Sequence, residues 1–246
     1  MHTTNLATAA APRSSDHSAV KFDLAKTPLR ELNQALHNIK PGSNETAWEI
    51  LNPGGGHAVA AGVDQPITVD IRGSVGYYCG GMNSQGTITV HGSAGPGVGE
   101  NMMSGEIIVK GDASQYAGAT GRGGLLVIEG NASSRCGISM KGIDIVVHGD
   151  IGHMSAFMAQ SGHLVVLGDA GDALGDSIYE AKLFVRGKVQ SLGADCIAKE
   201  MRPEHIAKLQ ELLDRAGVKG VKPEEFTRYG SARTLYNFNI DNAAAY

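Results

Sequence analysis

The chain has 246 residues and a formal net charge of −4 at pH 7. It contains 34 glycines, about twice the ordinary share, whereas aromatic residues make up only 5%. The acidic balance excludes the strongly basic surface of a typical nucleic-acid-binding protein, and no apolar run approaches the length of a membrane span. We therefore expect a cytoplasmic protein whose partners include neither nucleic acid nor a membrane.

Two segments precede the regular part of the sequence. Residues 1–20 lack the basic start and apolar core of a secretory signal, and we predict a disordered tail there. Residues 21–66 form an N-terminal arm with one helix, for which Thr27 is the expected N-cap and Pro28 the first helical residue.

A short strand and a glycine-rich loop end this arm. Trp48 and Ile50 are expected in a strand that leads into the next region. The loop Gly54–His57 is a weak candidate for ligand contact, because neither a Gly-Lys-Ser/Thr sequence nor a strand–loop–helix unit accompanies it.

Residues 67–199 contain a repeat of 19 residues. Seven glycines recur at this interval: Gly73, Gly92, Gly111, Gly130, Gly149, Gly168 and Gly187. The residues two and four places before each of them are all aliphatic, and most are β-branched. This alternation predicts one short strand per unit, so the expected fold class is all-β.

Strands of one direction at a fixed interval are typical of a parallel β-solenoid, in which each coil pairs only with its neighbours. About seven coils are expected, flanked by short helical arms. Only Gly or Ala occurs seven places after each repeat glycine, which predicts a crowded interior or a positive φ. Gly142 stands one place early, so we expect a local irregularity. Short polar residues after the repeat glycines are expected to bond nearby backbone in tight turns.

Residues 200–246 contain a helix and an aromatic tail. Pro203 to Arg215 has one apolar face, and we expect this helix to cap the open end of the stack. A short turn follows at Pro223. The stretch from Thr227 shows no periodic pattern and either packs back on the solenoid or docks into a partner. Tyr and Arg frequently anchor interfaces. The candidate partner contacts are Arg228, Tyr229, Arg233, Tyr236 and Phe238.

The three cysteines are expected to be free, buried thiols. Cys79 and Cys136 fall in the same column of the repeat but three coils apart, which is too far for a disulfide. Cys196 lies elsewhere, and the spacings do not match a zinc or iron–sulfur pattern.

The sequence predicts no catalytic, cofactor-binding or metal-binding residue on this chain. A solenoid lyase or hydrolase requires acids on adjacent coils of one face. Asp150, Asp169 and Asp172 come nearest, but they occupy turn positions where Asp is structurally favoured. The histidines form no shared arrangement: His91 and His148 fall on the solvent face, and His57, His153 and His163 are isolated.

Single units follow the pattern G-x-x-G-x-x-x-G, as in Gly73–Gly80, Gly92–Gly99 and Gly168–Gly175. This pattern resembles the repeat of the C-terminal (GXGXG) β-helix domain of the glutamate synthase large subunit. The same domain occurs in one of the subunits of formylmethanofuran dehydrogenase and in its formyltransferase/hydrolase relative. The resemblance covers about residues 67–195 and implies a right-handed parallel β-helix. The arms that begin at Phe22 and Phe226 are similar to those of the small β-helix subunit of N-methylglutamate synthases (methylamine–glutamate N-methyltransferases).

This resemblance implies a non-catalytic structural subunit that holds a glutamine-amidotransferase-like subunit and a glutamate-synthase-like flavin subunit together. The complex would convert methylamine and glutamate into N-methylglutamate and ammonia. FMN and an iron–sulfur cluster are expected on a partner subunit, and no cofactor on this chain. Three alternatives remain open: the β-helix subunit of a formylmethanofuran dehydrogenase or formyltransferase/hydrolase complex, an independent solenoid enzyme acting on carbohydrate, and a stand-alone solenoid binding module.

Overall fold

A computed structural model describes residues 19–233, which form one sheet and two helices. The strands are β1 (Val20–Asp23), β2 (Ala47–Leu51), β3 (Thr68–Arg72), β4 (Thr87–Val90), β5 (Glu106–Val109), β6 (Leu125–Ile128), β7 (Lys141–Val147), β8 (Ser161–Val166), β9 (Lys182–Val185), β10 (Cys196–Lys199) and β11 (Thr227–Ser231). The helices are α1 (Leu29–His37) and α2 (Pro203–Arg215), and a 3-10 turn spans Pro223–Glu225.

The strands stack in chain order as a parallel solenoid. Strands β1 to β9 pair in parallel, each with the next. From β3 to β9 the paired Cα positions are 19 residues apart, as in Val69 with Ile88 and Leu164 with Leu183, except that Lys141 pairs with Ser161. The aliphatic side chains of these pairs are fully buried or nearly so and form the continuous core. The prediction of an all-β parallel solenoid with a 19-residue period is confirmed.

The sheet extends further toward the N-terminus than the predicted repeat. Ile50 in β2 pairs with Ile71 in β3, so the segment between them forms a longer coil of 21 residues. Strand β1 pairs in parallel with β2 and adds one more strand to the sheet. The arm is therefore partly a continuation of the solenoid, although its glycines do not follow the 19-residue interval.

Two kinds of glycine maintain the coil shape. Gly118 lies seven places after a repeat glycine. It has φ +67°, and an added Cβ would lie 2.6 Å from Ile145 Cδ1, so the predicted positive φ and the predicted crowded interior both occur there. The repeat glycine Gly168 has no positive φ, but its Cβ would lie 2.6 Å from the backbone oxygen of Gly149 in the preceding coil. The repeat glycines thus allow successive backbones to touch. The predicted irregularity near Gly142 is confirmed as a register shift between Lys141 and Asp144.

Helix α1 packs on the first coil. Its residues Leu32 and Leu36 are buried, and the Asn33 side chain bonds the backbone of Ala58 and Ala60. The predicted start is wrong by one residue, because Pro28 has extended φ and ψ and is itself the N-cap, without a side-chain capping bond.

Helix α2 has the predicted bounds but a different location. Its residues Leu209, Leu212 and Leu213 pack on the outer face of the sheet, against side chains that include Val146 and Phe184. The open end is covered instead by β11 and β10, which continue the sheet beyond β9 in antiparallel pairing. The first part of the predicted aromatic tail therefore packs back on the solenoid as a strand.

Candidate interaction surfaces

The polar residues after the repeat glycines connect one coil to the next. The Asp169 amide donates a hydrogen bond to Asp150 Oδ1, and the Lys188 amide donates to Asp169 Oδ1, both at 2.7 Å. Ser191 Oγ donates to Asp172 Oδ1 at 2.9 Å. We expected such side chains to bond within their own turns, but they bridge successive coils. The three carboxylates that come nearest to a catalytic cluster are thus engaged in coil-to-coil hydrogen bonds.

The cysteines are free and buried, as predicted. Burial raises the pKa of the Cys79 and Cys136 thiols to about 12 and that of Cys196 to about 11. These side chains are therefore protonated at neutral pH, and a protonated thiol is a poor nucleophile and metal ligand.

Two histidines pair with carboxylates on the outer face. His163 Nδ1 lies 2.7 Å from Asp144 Oδ1, and His91 Nε2 lies 2.7 Å from Asp70 Oδ1, so the prediction that His163 is isolated is wrong. Burial raises the pKa of Asp144, but the hydrogen bond and charge of His163, together with Lys208, outweigh it and leave that pKa lowered. Lys208 of α2 reaches Asp144 at 3.2 Å, so this group fixes the helix to the sheet.

His148 lies beneath the C-terminal end of α2 rather than on an open solvent face. Its Nε2 atom is buried without a hydrogen-bond partner. Burial lowers the pKa of this histidine, and the charge of Glu129 opposes that shift only in part. His148 is therefore a neutral side chain at the helix–sheet contact.

The glycine-rich loop of the arm is part of the first coil. The Gly55 amide donates to the Ser74 oxygen and the Gly76 amide donates to the Gly56 oxygen, at 3.1 and 2.8 Å. His57 Nδ1 accepts a hydrogen bond from the Tyr77 amide at 2.9 Å. Backbone that pairs with the next coil in this way is not arranged as a phosphate-binding loop.

An aromatic patch beside this loop consists of His57, Tyr77 and Tyr78. The Tyr77 ring lies edge-on to His57 at 6.4 Å and 5.4 Å from the Tyr78 ring, and Tyr77 is 48% exposed. At the other end of the solenoid, Leu192 and Ile197 are also exposed. Four more large apolar side chains are exposed on the coils between the two ends: Met82, Met103, Met158 and Tyr179. Exposed apolar side chains are the kind of surface that a partner protein covers.

The predicted partner contacts are placed in different surroundings. Arg228 is only 9% exposed, and its Nε donates to the Glu200 oxygen at 2.8 Å. Tyr229 packs against the solenoid core, and Arg233 forms an ion pair with Asp195. Tyr236 and Phe238 lie outside the described residues. The role of all five in partner binding stays a prediction.

One sequence signal for the position of α2 lies in the column three places before each repeat glycine. It begins with Asp70 and Thr89 and then becomes apolar, with Ile108, Val127, Val146, Val165 and Phe184. The last four are covered by α2 and its neighbours. The positions two and four places before each repeat glycine face the core and give no sign of this apolar stripe on the outer face.

Neither a membrane span nor a metal cluster occurs within residues 19–233. None of the helices there has the length and apolar character needed to cross a bilayer. No three His, Cys, Asp or Glu side chains in this part of the chain converge in a way that could hold a metal ion.

The comparisons with known proteins give one family and one close relative. The model of the GXGXG motif family matches residues 56–234. Protein GlxC of Rhizobium meliloti (strain 1021) is 78% identical over 225 residues, which cover 92% of this chain and 99% of that protein.

Proposed function

Since the chain belongs to the GXGXG family, we propose that it is the β-helix subunit of a glutamate-synthase-like complex and that its role there is structural. Family membership is the observation that carries this proposal. The family match agrees with the resemblance that the G-x-x-G-x-x-x-G units indicate, and it covers a longer part of the chain, residues 56–234.

The surface chemistry supports a structural role. The turn carboxylates bond the next coil, and the thiols are buried and protonated. Exposed apolar residues occur near both ends of the solenoid, at Tyr77 and at Ile197, and also on the coils between them, at Met82, Met103, Met158 and Tyr179. A stiff solenoid with exposed apolar side chains along its length is suited to holding two catalytic subunits at a fixed distance, which matters when a small nucleophile must pass between them.

The proposed partners are a glutamine-amidotransferase-like subunit and a glutamate-synthase-like flavin subunit, with FMN and an iron–sulfur cluster on a partner and no cofactor on this chain. The proposed reaction joins methylamine to glutamate and releases ammonia. This finer assignment rests on the similarity of the arms that begin at Phe22 and Phe226, because the name of the relative GlxC states no substrate.

Purification of the tagged full chain from its source cells under native conditions tests the proposal. We expect an amidotransferase-like chain and a larger synthase-like chain by mass spectrometry, and flavin absorbance in the visible spectrum. The purified material should then form N-methylglutamate from methylamine and glutamate. A colourless protein that purifies alone would contradict the proposal, whereas a flavin complex inactive on methylamine would contradict only the substrate.

A C-terminal truncation tests the predicted partner contacts in the tail. Because β11 ends at Ser231 and Arg233 pairs with Asp195, the truncation should begin at residue 234. We expect it to leave the circular dichroism spectrum unchanged and to weaken assembly on size-exclusion chromatography. A folded truncated chain that assembles as well as the full chain would show that Tyr236 and Phe238 do not bind a partner.

A further inference from the structure

A small niche lies on the outer face of the last three strands, above Gly230 of β11. Gly230 pairs with Ile197, and two residues away Arg228 pairs with Lys199. A Cβ on Gly230 would have no atom nearer than Lys199 Cγ at 3.7 Å, with Arg228 Nη1 and the Ala181 oxygen at 3.9 Å. A small side-chain group would therefore fit here in ordinary van der Waals contact with both basic residues, and we call this position the Gly230 niche.

Basic side chains from three strands surround the niche. Arg228 also pairs with Phe184 in β9, and Lys182 stands two residues before Phe184, so Lys182 shares this face. Arg228 and Lys199 are directly opposite each other, an arrangement of like charges that destabilises a strand pair unless something neutralises it.

The first turn of α2 brings another donor close to these charges. His205 is only 7% exposed, and its Nδ1 accepts a hydrogen bond from the Arg202 amide at 3.2 Å. Burial lowers the pKa of His205, and the charges of Arg228 and Lys182 lower it further against the opposing charge of Glu204. In a neutral ring whose Nδ1 accepts, Nε2 carries the hydrogen and is a donor.

These donors lack matching acceptors. Within residues 19–233, Lys182, Lys199 and Arg228 form no salt bridge, and Arg228 makes one hydrogen bond, from Nε to the Glu200 oxygen. The nearest carboxylates are otherwise placed. Glu200 faces Arg202 at 3.5 Å, and Glu180 and Glu204 affect the niche only through longer-range charge. The terminal nitrogens of Arg228 are not among the buried polar atoms that lack a partner in this part of the chain, so they reach solvent and are free to donate to an anion.

We propose that the Gly230 niche binds an oxyanion, a phosphate or carboxylate group held by Arg228 and Lys182. The planar guanidinium can donate two parallel hydrogen bonds to such a group, and Lys182 supplies a second positive charge. The oxyanion comes either from a small ligand or from an acidic side chain of a partner subunit. The site does not depend on the proposed complex, because all of its residues lie on this chain.

Titration of the isotope-labelled full chain with inorganic phosphate, against chloride at constant ionic strength, tests the niche. We expect saturable shifts of the Gly230 amide resonance. Lys182→Met keeps the aliphatic stem and removes the charge, and should weaken phosphate binding about tenfold. Gly230→Val fills the niche at a position without positive φ and should abolish binding. Lys141 is exposed and forms no salt bridge within residues 19–233, so Lys141→Met is the matched control and should change the affinity by less than about twofold.

The outcomes distinguish specific binding of phosphate at the niche from non-specific attraction of phosphate to exposed positive charges. Equal effects of Lys182→Met and Lys141→Met, or no saturable shift, would overturn the proposal. Folding of each variant is checked by the dispersion of its amide spectrum. The same titration on the native complex identifies the source: retained phosphate binding indicates a small ligand, and binding seen only in the isolated chain indicates a partner carboxylate in the niche.

Discussion

Replacement of the repeat glycine Gly168 by alanine should destabilise the solenoid through contact with the preceding coil. The new Cβ would lie 2.6 Å from the Gly149 oxygen and close to Asp150 Oδ1, which already accepts the Asp169 amide. Overpacking against atoms that cannot move costs about 1–3 kcal/mol, and loss of that hydrogen bond adds about 1 kcal/mol. We therefore expect the free energy of unfolding to fall by about 2–4 kcal/mol. Urea unfolding followed by far-UV circular dichroism measures this change.

The matched control is Gly217→Ala, just after α2. Gly217 has φ +70° and no atom within 4 Å of an added Cβ, so this variant introduces the left-handed strain alone, about 1 kcal/mol. Both variants lower the entropy of the unfolded chain equally, so the cost of the coil-to-coil contact is their difference plus the strain of about 1 kcal/mol in Gly217→Ala. Because coils of a solenoid can unfold separately, hydrogen exchange should show the loss concentrated around Gly168. A Gly168→Ala protein at least as stable as Gly217→Ala would refute the reasoning.

Three further predictions concern the helix, the histidines and the thiols. Leu212→Ala should cost about 2–5 kcal/mol in urea unfolding, because Leu212 is fully buried where α2 packs on the sheet. A loss below about 1 kcal/mol would place the helix elsewhere. The lowered pKa values of His148 and His205 mean that the unfolded chain binds more protons just below their ordinary pKa of 6.5, so stability should be full above that pH and fall below it. The free energy of unfolding is measured at about pH 7.5 and about pH 5.5, and it should be lower at the lower pH. The difference between the two values should shrink in His148→Asn. Equal stability of the unsubstituted chain at both pH values would contradict this prediction. Cys79 and Cys136 should react with a thiol reagent in mildly alkaline buffer only after denaturation, and rapid labelling of the folded chain would show that they are not buried.

The regular part of the fold could be predicted because the residues that produce it recur at a fixed interval in the sequence. The aliphatic pairs before glycines such as Gly92 and Gly111 recur every 19 residues, and only one strand per coil satisfies that spacing. Strand β2 was recognisable from Trp48 and Ile50, but its coil has 21 residues and so does not follow the 19-residue interval.

The arrangement outside the core was harder to predict, because it depends on which surfaces meet. The α2 sequence shows an apolar face but not what that face contacts, and only the outward apolar column ending at Phe184 indicates the side of the solenoid. Strand β11 contains Arg228 and Gly230, which no strand pattern favours, and its pairing with β9 and β10 depends on residues far away in the chain. The Gly230 niche follows from that pairing.

The most direct test of the structural role is a cryo-electron microscopy structure of the native complex that contains this chain. The account predicts that two different subunits contact the solenoid on separate surfaces, and that their active sites and cofactors are formed without side chains of this chain. A flavin, cluster or reacting substrate bound by residues of the solenoid would contradict the account, as would contact with only one other subunit.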